Sequence, residues 1–278
     1  MSAKTRSRMV RMLVYAGAAS SMMVLLFIVG YILYKGIPHL SPKLFAWEYN
    51  TVNVSLLPAL INTLYMTVLS LFIAVPLGVG AAIYLSEYAR RNNKLVKLVR
   101  LTTETLSGIP SVIYGLFGAL FYVMYLRMNL SLISGALTLS IMILPLIMRT
   151  TEEALIAVPN AFREGSYGLG AGRLRTTFSI VLPSAGPGIL AGVILGIGRI
   201  VGETAALIYT AGTVPEAATG LLDSARTLSV HMYTLSSEGL YIGETYATAV
   251  VLLVMVIGIN ALSIWTSEKL GRRNYGKI

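Results

Sequence analysis

Six long apolar stretches, separated by polar connections, constrain this chain more than any other feature. A bilayer core of about 30 Å is crossed by roughly 20 apolar residues in an α-helix. Of the 278 residues, 55% are hydrophobic and only 12% are charged, against about 25% charged in soluble domains. We therefore predict an all-α membrane protein with six transmembrane helices, over residues 13–34, 60–85, 106–126, 130–148, 188–212 and 245–265.

The first apolar stretch follows a basic segment, and a cleaved signal peptide has the same order. The apolar part of a signal peptide has about 7 to 15 residues, whereas this stretch extends from residue 13 to residue 34. We therefore expect an uncleaved first helix that begins in the cytoplasm.

The distribution of basic residues predicts the orientation of the helices, because cytoplasmic loops carry an excess of Lys and Arg. The N-terminal tail holds four, residues 90–100 five, residues 149–187 four and the C-terminal tail four, so 17 of the 22 lie on one side. Both termini are thus expected in the cytoplasm. The predicted organisation is a cytoplasmic tail (1–12), a first helix with an external loop (13–58), a core of five helices (59–266) and a second cytoplasmic tail (267–278).

Composition also excludes several classes of function. There is no cysteine, so disulfides and thiolate chemistry are absent, and His39 and His231 are too far apart in sequence to suggest a metal site. The net charge of +10 is spread between the apolar stretches instead of forming a patch, which argues against a nucleic-acid partner. The GxxxxGK[ST] phosphate-binding pattern does not occur, so we expect neither ATP binding nor catalysis by this chain.

Two charged residues, Arg199 and Glu203, lie inside the fifth apolar stretch. Four residues apart on a helix, their side chains share a face and can pair. A charged residue at mid-membrane costs about 2.5–3.5 kcal/mol on insertion scales and usually marks a substrate pathway. Two interpretations remain open: Arg199 attracts an anion and Glu203 orients it, or the two form an ion pair that fixes helix packing.

Glycines repeat at four-residue spacing in the same stretch. Small residues at this spacing allow membrane helices to approach closely, so we predict a packing role and place the fifth helix at the centre of the bundle. The glycines concerned are Gly188, Gly192 and Gly196 on one face, and Gly198 and Gly202 on a neighbouring face.

The long polar loop, residues 149–187, contains a spaced motif. From composition alone it would be a solvated linker with amphipathic helices. Its spacing resembles the EAA signature of bacterial ABC importer permeases: Glu-Ala-Ala, three residues, Gly, nine residues, then Ile-x-Leu-Pro. The match includes Glu164, Gly170, Ile180, Leu182 and Pro183, and Gly165 and Ser166 stand where the family usually has alanine.

Three further stretches are similar to permeases of phosphate-specific ABC importers, in particular to the A-type membrane subunit. They are GIPSVIYGLFG (108–118), GETAA (202–206) and YLSEY (84–88). The resemblance covers residues 60–265 and implies the type I ABC importer permease fold. It also implies a coupling helix in the 149–187 loop that docks on an ATPase.

The resemblance further implies a set of partners and a location. The partners are a second homologous permease, two copies of an ATP-binding subunit that carry ATP and Mg, and an extracytoplasmic phosphate-binding protein. The location is the bacterial or archaeal cytoplasmic membrane. Phosphate would then cross a cavity between the two permeases by alternating access.

Alternative functions remain open at this point. An arginine in a helix does not distinguish phosphate from sulfate or molybdate, so a permease for another oxyanion is one alternative. A transporter that works without ATP is another, and it would show inverted repeats or broken helices; the two halves show no convincing repeat. The external connection 213–244 would contact the binding protein or form a surface helix.

Overall fold

A computed structural model describes residues 3–90 and 93–275, and these residues form helices joined by connections, of which 37–56 and 211–227 are the longest. Arg91 and the outermost residues of both predicted tails lie outside the described part. The helices are α1 (Ala3–Gly36), α2 (Leu57–Ile83), α3 (Lys94–Ser107), α4 (Ser111–Gly118), α5 (Leu132–Ile156), α6 (Asn160–Gly168), α7 (Arg173–Thr176), α8 (Leu182–Val201), α9 (Ala205–Thr210), α10 (Leu228–Glu238) and α11 (Ile242–Tyr275). Most of each predicted tail is thus helical and continuous with α1 or α11.

Five helical segments of the described residues are long and apolar enough to cross a membrane: Met9–His39, Leu57–Tyr88, Leu132–Ile156, Arg173–Val201 and Ile242–Leu262. The third predicted span, 106–126, corresponds to a bent pair, Lys94–Ser107 and Ser111–Tyr125, with an angle of 102° between its parts. Pro110 explains the bend, because proline disfavours helical backbone at the residue before it. The third span is therefore broken instead of straight.

The fifth span lies earlier in the sequence than predicted. Its helix begins at Arg173 and ends at Val201, whereas the prediction was 188–212. The prolines at 183 and 187 indicated a polar connection, but the helix continues through a π turn over Thr177–Val181 into α8, which contains both prolines. π turns inside helices absorb this kind of local mismatch.

The centre of the bundle is α5, and the prediction that the fifth span is central was wrong. In α5, 67% of the apolar window is buried, against 22% in Arg173–Val201. Helices α2, α3, α4, α8 and α9 all pack against α5. Small residues permit this, because an added Cβ at Gly135 would lie 2.8 Å from Met66 and 2.9 Å from Ala211.

Contacts at the two ends of the bundle agree with the predicted sidedness. At one end, segments predicted to be external meet: Asn62 at the start of α2 bonds the Glu216 carbonyl at 3.0 Å, and the Leu132 amide bonds the Asp223 carbonyl at 2.8 Å. At the other end, segments predicted to be cytoplasmic meet, and Arg100 pairs with Glu152 at 2.5 Å. We refer to these as the external and cytoplasmic ends.

Candidate functional site

A break in the fifth span is the first feature of the site. α8 ends at Val201, and α9 begins at Ala205. The Glu203 carboxylate accepts a hydrogen bond from the Ala206 amide at 3.0 Å, and the Ser229 hydroxyl donates to the Glu203 carbonyl at 3.2 Å. Non-helical backbone at membrane depth is tolerated where it is buried in protein or lines a polar path, so the break marks a specialised position.

The break separates the two charged residues predicted to pair. An i,i+4 pair needs helical backbone through both residues, and the helix ends before Glu203. Glu203 is 8% exposed and instead caps α9. Within the described residues, the Arg199 guanidinium forms no ion pair or hydrogen bond. Arg199 is therefore a half-buried cation in the last turn of α8 whose donors are available to an anion.

Helix α4 packs against the broken span through two glycines. A Cβ at Gly115 would lie 2.7 Å from the Cα of Ala206, and one at Gly118 would lie 2.6 Å from Cγ2 of Thr210 on α9. The GIPSVIYGLFG and GETAA stretches thus meet in space. Arg199 lies close enough to Tyr114 on α4 for its charge to act on the phenol, and that phenol donates to the Leu106 carbonyl at 2.8 Å.

The glycines predicted to pack helices divide into two groups. A Cβ at Gly188 would lie 2.7 Å from that of Ala154, and one at Gly192 would lie 2.0 Å from the Thr150 hydroxyl. At Gly196 a Cβ would make an ordinary 3.9 Å contact with Ile147. This row faces α5. The second row differs: a Cβ at Gly198 would meet no atom of another helix within 4 Å among the described residues, and Gly202 ends α8.

The loop that carries the spaced motif is mostly helical. On α6, Glu164 and Gly165 are exposed, and the buried Ser166 hydroxyl lies 2.8 Å from that of Thr176, which ties α6 to α7. Gly170 has φ +81° with open space around it, so the backbone conformation and not the available room requires glycine there.

Beyond that turn the motif joins the fifth span, and the segment exposes an apolar surface. Ile180 and Leu182 are half-buried, and Pro183 is exposed. Exposed apolar side chains lie on α6 and in the residues that follow it, up to α7, and patches of this kind mark interaction sites. They are Phe162, Tyr167, Leu169 and Leu174.

The structure shows an ion pair at the cytoplasmic end that was not predicted from the sequence. Arg163 on α6 binds Glu87, in the turn after α2, with Nη2 to Oε1 at 2.7 Å. The side chains are only 15% and 6% exposed. A lone carboxylate after an apolar helix and an arginine beside the motif were visible in the sequence. Their partnership across 76 positions was not.

A second missed cluster lies at the external end. Arg226 is 3% exposed, and its guanidinium carbon lies 4.9 Å from the centroid of the Tyr49 ring, a cation–π distance. Tyr49 also contacts the buried His231 ring edge-on. Burial, and then the Arg226 charge, lowers the pKa of His231 to about 3, so this histidine is neutral at physiological pH. Across the described residues, no group of three His, Asp or Glu side chains is arranged to hold a metal ion.

Comparison with solved structures supports the architecture. A bacterial ABC transporter involved in import of the acidic polysaccharide alginate aligns with a TM-score of 0.62 over 94% of this chain and 98% of that chain, at 18% identity. The MetNI methionine ABC transporter aligns with a TM-score of 0.60 over 75% of this chain and 93% of that chain, at 21% identity. At these identities the likeness establishes the type I ABC importer permease fold alone.

Sequence relatives establish the family. The chain is 33% identical over 279 residues to the probable ABC transporter permease protein YqgI of Bacillus subtilis, with 92% of this chain and 91% of that protein covered. It is 35% identical over 210 residues to the phosphate transport system permease protein PstA of Haemophilus influenzae, with 75% and 74% covered. Residues 74–274 match the family described as binding-protein-dependent transport system inner membrane component. This match spans well over half of the chain, which therefore belongs to that family of transporter membrane components.

Proposed function

We propose that this chain is a membrane-spanning permease subunit of an ATP-driven phosphate importer. Proteins of its family are transport subunits and not ATPases, and they form several helices across the membrane. Several relatives are named as phosphate transport permeases, including proteins of Haemophilus influenzae and Pasteurella multocida. The stretches at 84–88, 108–118 and 202–206 support the same substrate.

The observation that carries the substrate proposal is the state of Arg199. Its guanidinium is half-buried beside the break in the fifth span and has no anionic partner within the described residues. A charge in such a low-dielectric place attracts an anion much more strongly than it would in water. Arg199 would lower the barrier for phosphate, whereas Glu203 would act by holding the break in shape.

Residues 160–183 are proposed to connect the permease to its ATPase. The apolar side chains around α6 suit a docking surface, and Glu164 lies exposed on the same short helix. Closure of the ATPase would move α6 and switch the cavity between outward and inward access. ATP and Mg would be bound by the ATPase and not by this chain.

The proposed assembly contains four kinds of subunit. A second homologous permease would complete the translocation path, and two copies of the ATP-binding subunit would dock at the cytoplasmic end. An extracytoplasmic binding protein would deliver phosphate at the external end, where the connection 213–244 lies. The family description supports the cytoplasmic membrane of a bacterium or archaeon as the location.

The first experiment measures uptake of radiolabelled phosphate into vesicles that contain the co-expressed complex, with and without ATP and with excess sulfate. We expect uptake that requires ATP and is unaffected by sulfate. Suppression by sulfate would leave an ABC permease for another oxyanion, since Arg199 does not discriminate among tetrahedral anions. Uptake without ATP would overturn the coupling role of residues 160–183.

The substitution Arg199→Gln tests the path itself. We expect uptake to fall by about 10- to 150-fold, because a hydrogen bond to a charged group contributes about 1.5–3 kcal/mol. Assembly should survive, because the change leaves no protein partner unpaired. Arg149→Gln makes the same chemical change at an exposed position and should retain uptake. Normal transport by Arg199→Gln would remove Arg199 from the path.

A further inference from the structure

The ion pair between Glu87 and Arg163 is buried and bidentate. Arg163 Nη2 donates to Glu87 Oε1 at 2.7 Å, and Nε donates to Oε2 at 3.3 Å. Two parallel bonds of this kind give directional as well as energetic strength. The contact joins α6 to the π turn Tyr84–Tyr88, which directly continues α2.

The same guanidinium also closes the end of α5. Arg163 Nη2 donates to the Leu155 carbonyl at 2.9 Å, and Nη1 donates to the Val158 carbonyl at 2.8 Å. These carbonyls lie at the end of α5, where the carbonyl groups have no amide partner within the helix. One side chain therefore holds α6, the end of α5 and the turn after α2 together.

The turn after α2 makes a second contact with the loop. The Arg173 guanidinium, at the start of α7, lies 5.4 Å from the centroid of the Tyr88 ring. Beneath these polar contacts, Ile83 at the end of α2 belongs to one apolar cluster with Leu155 of α5 and Val181. Residues 84–88 thus contact the loop both at α6 and at the start of α7.

Chain connectivity explains why these contacts matter. α6 is joined to α5 through residues 157–159 and to α7 through residues 169–172, so any displacement of α6 reaches those helices through the backbone. α2 is remote in sequence and has no such connection. Besides the packing of α2 against α5, a side-chain contact is what joins the end of α2 to α6 directly.

We propose that Glu87 is a positioning residue for transport: through Arg163 it fixes α6 to the cytoplasmic end of α2, so that ATPase-driven movement of α6 carries α2 along with α5 and α8. The inference rests on the proposed docking of the ATPase at α6. It assigns a transmission role to a carboxylate outside both the docking surface and the substrate path.

The Glu87–Arg163 ion pair differs in burial from another ion pair in the same region. Arg149 and Glu153 also pair, at 2.9 Å, but their side chains are 60% and 63% exposed. Exposed pairs contribute little, whereas removal of one partner from a buried pair leaves an uncompensated charge. The exposed pair on α5 is thus a matched control in the same region.

The test uses the complete complex reconstituted in liposomes with its binding protein, and it compares Glu87→Gln with Glu153→Gln. The readout is phosphate transported per ATP hydrolysed, together with stimulation of the ATPase by the loaded binding protein. We expect the Glu87→Gln ratio to fall by about 2- to 30-fold, the range over which single positions modulate coupling. Glu153→Gln should keep the wild-type ratio.

A purely structural role would give a different result. If Glu87→Gln lowers the yield of complex while the recovered complex keeps the wild-type ratio, the proposal is overturned. If Glu87→Gln does not assemble, Glu87→Asp is used instead, because it keeps a carboxylate on a side chain that is one methylene shorter. We expect the Glu87→Asp complex to assemble and to transport less phosphate per ATP hydrolysed than the wild type. A wild-type ratio in the assembled Glu87→Asp complex would also overturn the proposal.

Failure of the underlying docking role would be recognised separately. Gly170→Asp, at the positive-φ turn after α6, should abolish recovery of the ATPase with the permease. Normal recovery would refute docking at α6 whatever the Glu87 variants do. If the anion is sulfate, the same ratio is measured with sulfate and the binding protein loaded with it, so an error in the substrate leaves the Glu87 test intact.

Discussion

At the scale of single residues, the charges of this chain separate by burial into different roles. Arg163 is largely buried and bonded to Glu87 and to the carbonyls at the end of α5, whereas Arg199 is half-buried without a partner in the described residues. Arg226 is buried against Tyr49 with no carboxylate at ion-pair distance within the described residues. The contacts of Arg163 suit a fixed link between helices, and the unpaired state of Arg199 suits an incoming anion. Burial, together with the Arg226 charge, keeps His231 neutral.

His231 yields a prediction about pH. Its pKa is lowered to about 3, first by burial and then by the Arg226 charge, whereas an unfolded histidine has a pKa near 6.5. Between these values the unfolded chain binds more protons, so the stability of the folded state falls as pH falls from about 6.5 toward 3. The slope from one such group is at most about 1.4 kcal/mol per pH unit. The thermal midpoint in detergent should therefore drop between pH 7 and pH 4.5.

His231→Gln removes the titrating group and should make the midpoint less dependent on pH over that interval. His39→Gln changes the same residue type at an exposed position and serves as the control. An identical pH slope in wild type and His231→Gln would show that this histidine does not contribute to the pH dependence.

At the scale of helices, packing between α5 and α8 depends on the absence of side chains on one face. A Cβ at Gly192 would lie 2.0 Å from the Thr150 hydroxyl, which itself donates to the Leu146 carbonyl at 2.9 Å. Overpacking of a filled contact costs about 1–3 kcal/mol. Gly192→Ala should therefore reduce the thermal midpoint and the yield of complex.

Gly198→Ala is the matched substitution on the open face of the same helix. It should be tolerated in the isolated permease, and alanine even favours helix over glycine by about 1 kcal/mol. Equal losses at both positions in thermal-unfolding measurements would contradict the assignment of Gly192 to the α5 contact.

Helices were easier to predict from the sequence than the places where they break. Hydropathy locates apolar segments, so the first, second, fourth and sixth spans were close to their observed positions. It does not register backbone irregularity: the bend near Pro110 and the break at Gly202 both lie within continuous apolar runs. The ion pair between Arg199 and Glu203, one of the two interpretations that the sequence left open, is not formed for that reason, since it requires an unbroken helix.

Contacts between residues that are far apart in the sequence were the second feature that could not be predicted. The spaced motif identified residues 164–183, but nothing in one sequence links Arg163 to Glu87 or Arg226 to Tyr49. These partners are set by how α2, α5 and α6 assemble. The motif therefore predicted the loop residues of the site, whereas their long-range partners could be identified only from the fold.

At the scale of the whole molecule, α5 connects the two functional ends. It has 25 residues, a length of about 37 Å. At its external end the Ser131 amide bonds the Thr210 carbonyl of α9 at 3.0 Å, and at its cytoplasmic end Leu155 accepts from Arg163. Movement at α6 thus has a rigid, central element through which it can reach the broken span.

This arrangement requires the loop with α6 and the connection 213–227 to lie on opposite sides of the membrane. Because the chain contains no cysteine, single introduced thiols can test this without background. Leu169 is 91% exposed beside α6, and Leu222 is 67% exposed at the external end. Both positions should tolerate cysteine and react freely in detergent.

A membrane-impermeant maleimide should label Leu222→Cys in intact cells and Leu169→Cys only in inverted vesicles. Co-expression of the ATPase should protect Leu169→Cys, because the proposed docking surface surrounds it, and should leave Leu222→Cys reactive. The cysteine-free parent gives the baseline, and labelling after solubilisation confirms that both thiols are reactive. The opposite pattern would reverse the orientation, and labelling of both thiols in intact cells would place both segments outside and refute docking at α6.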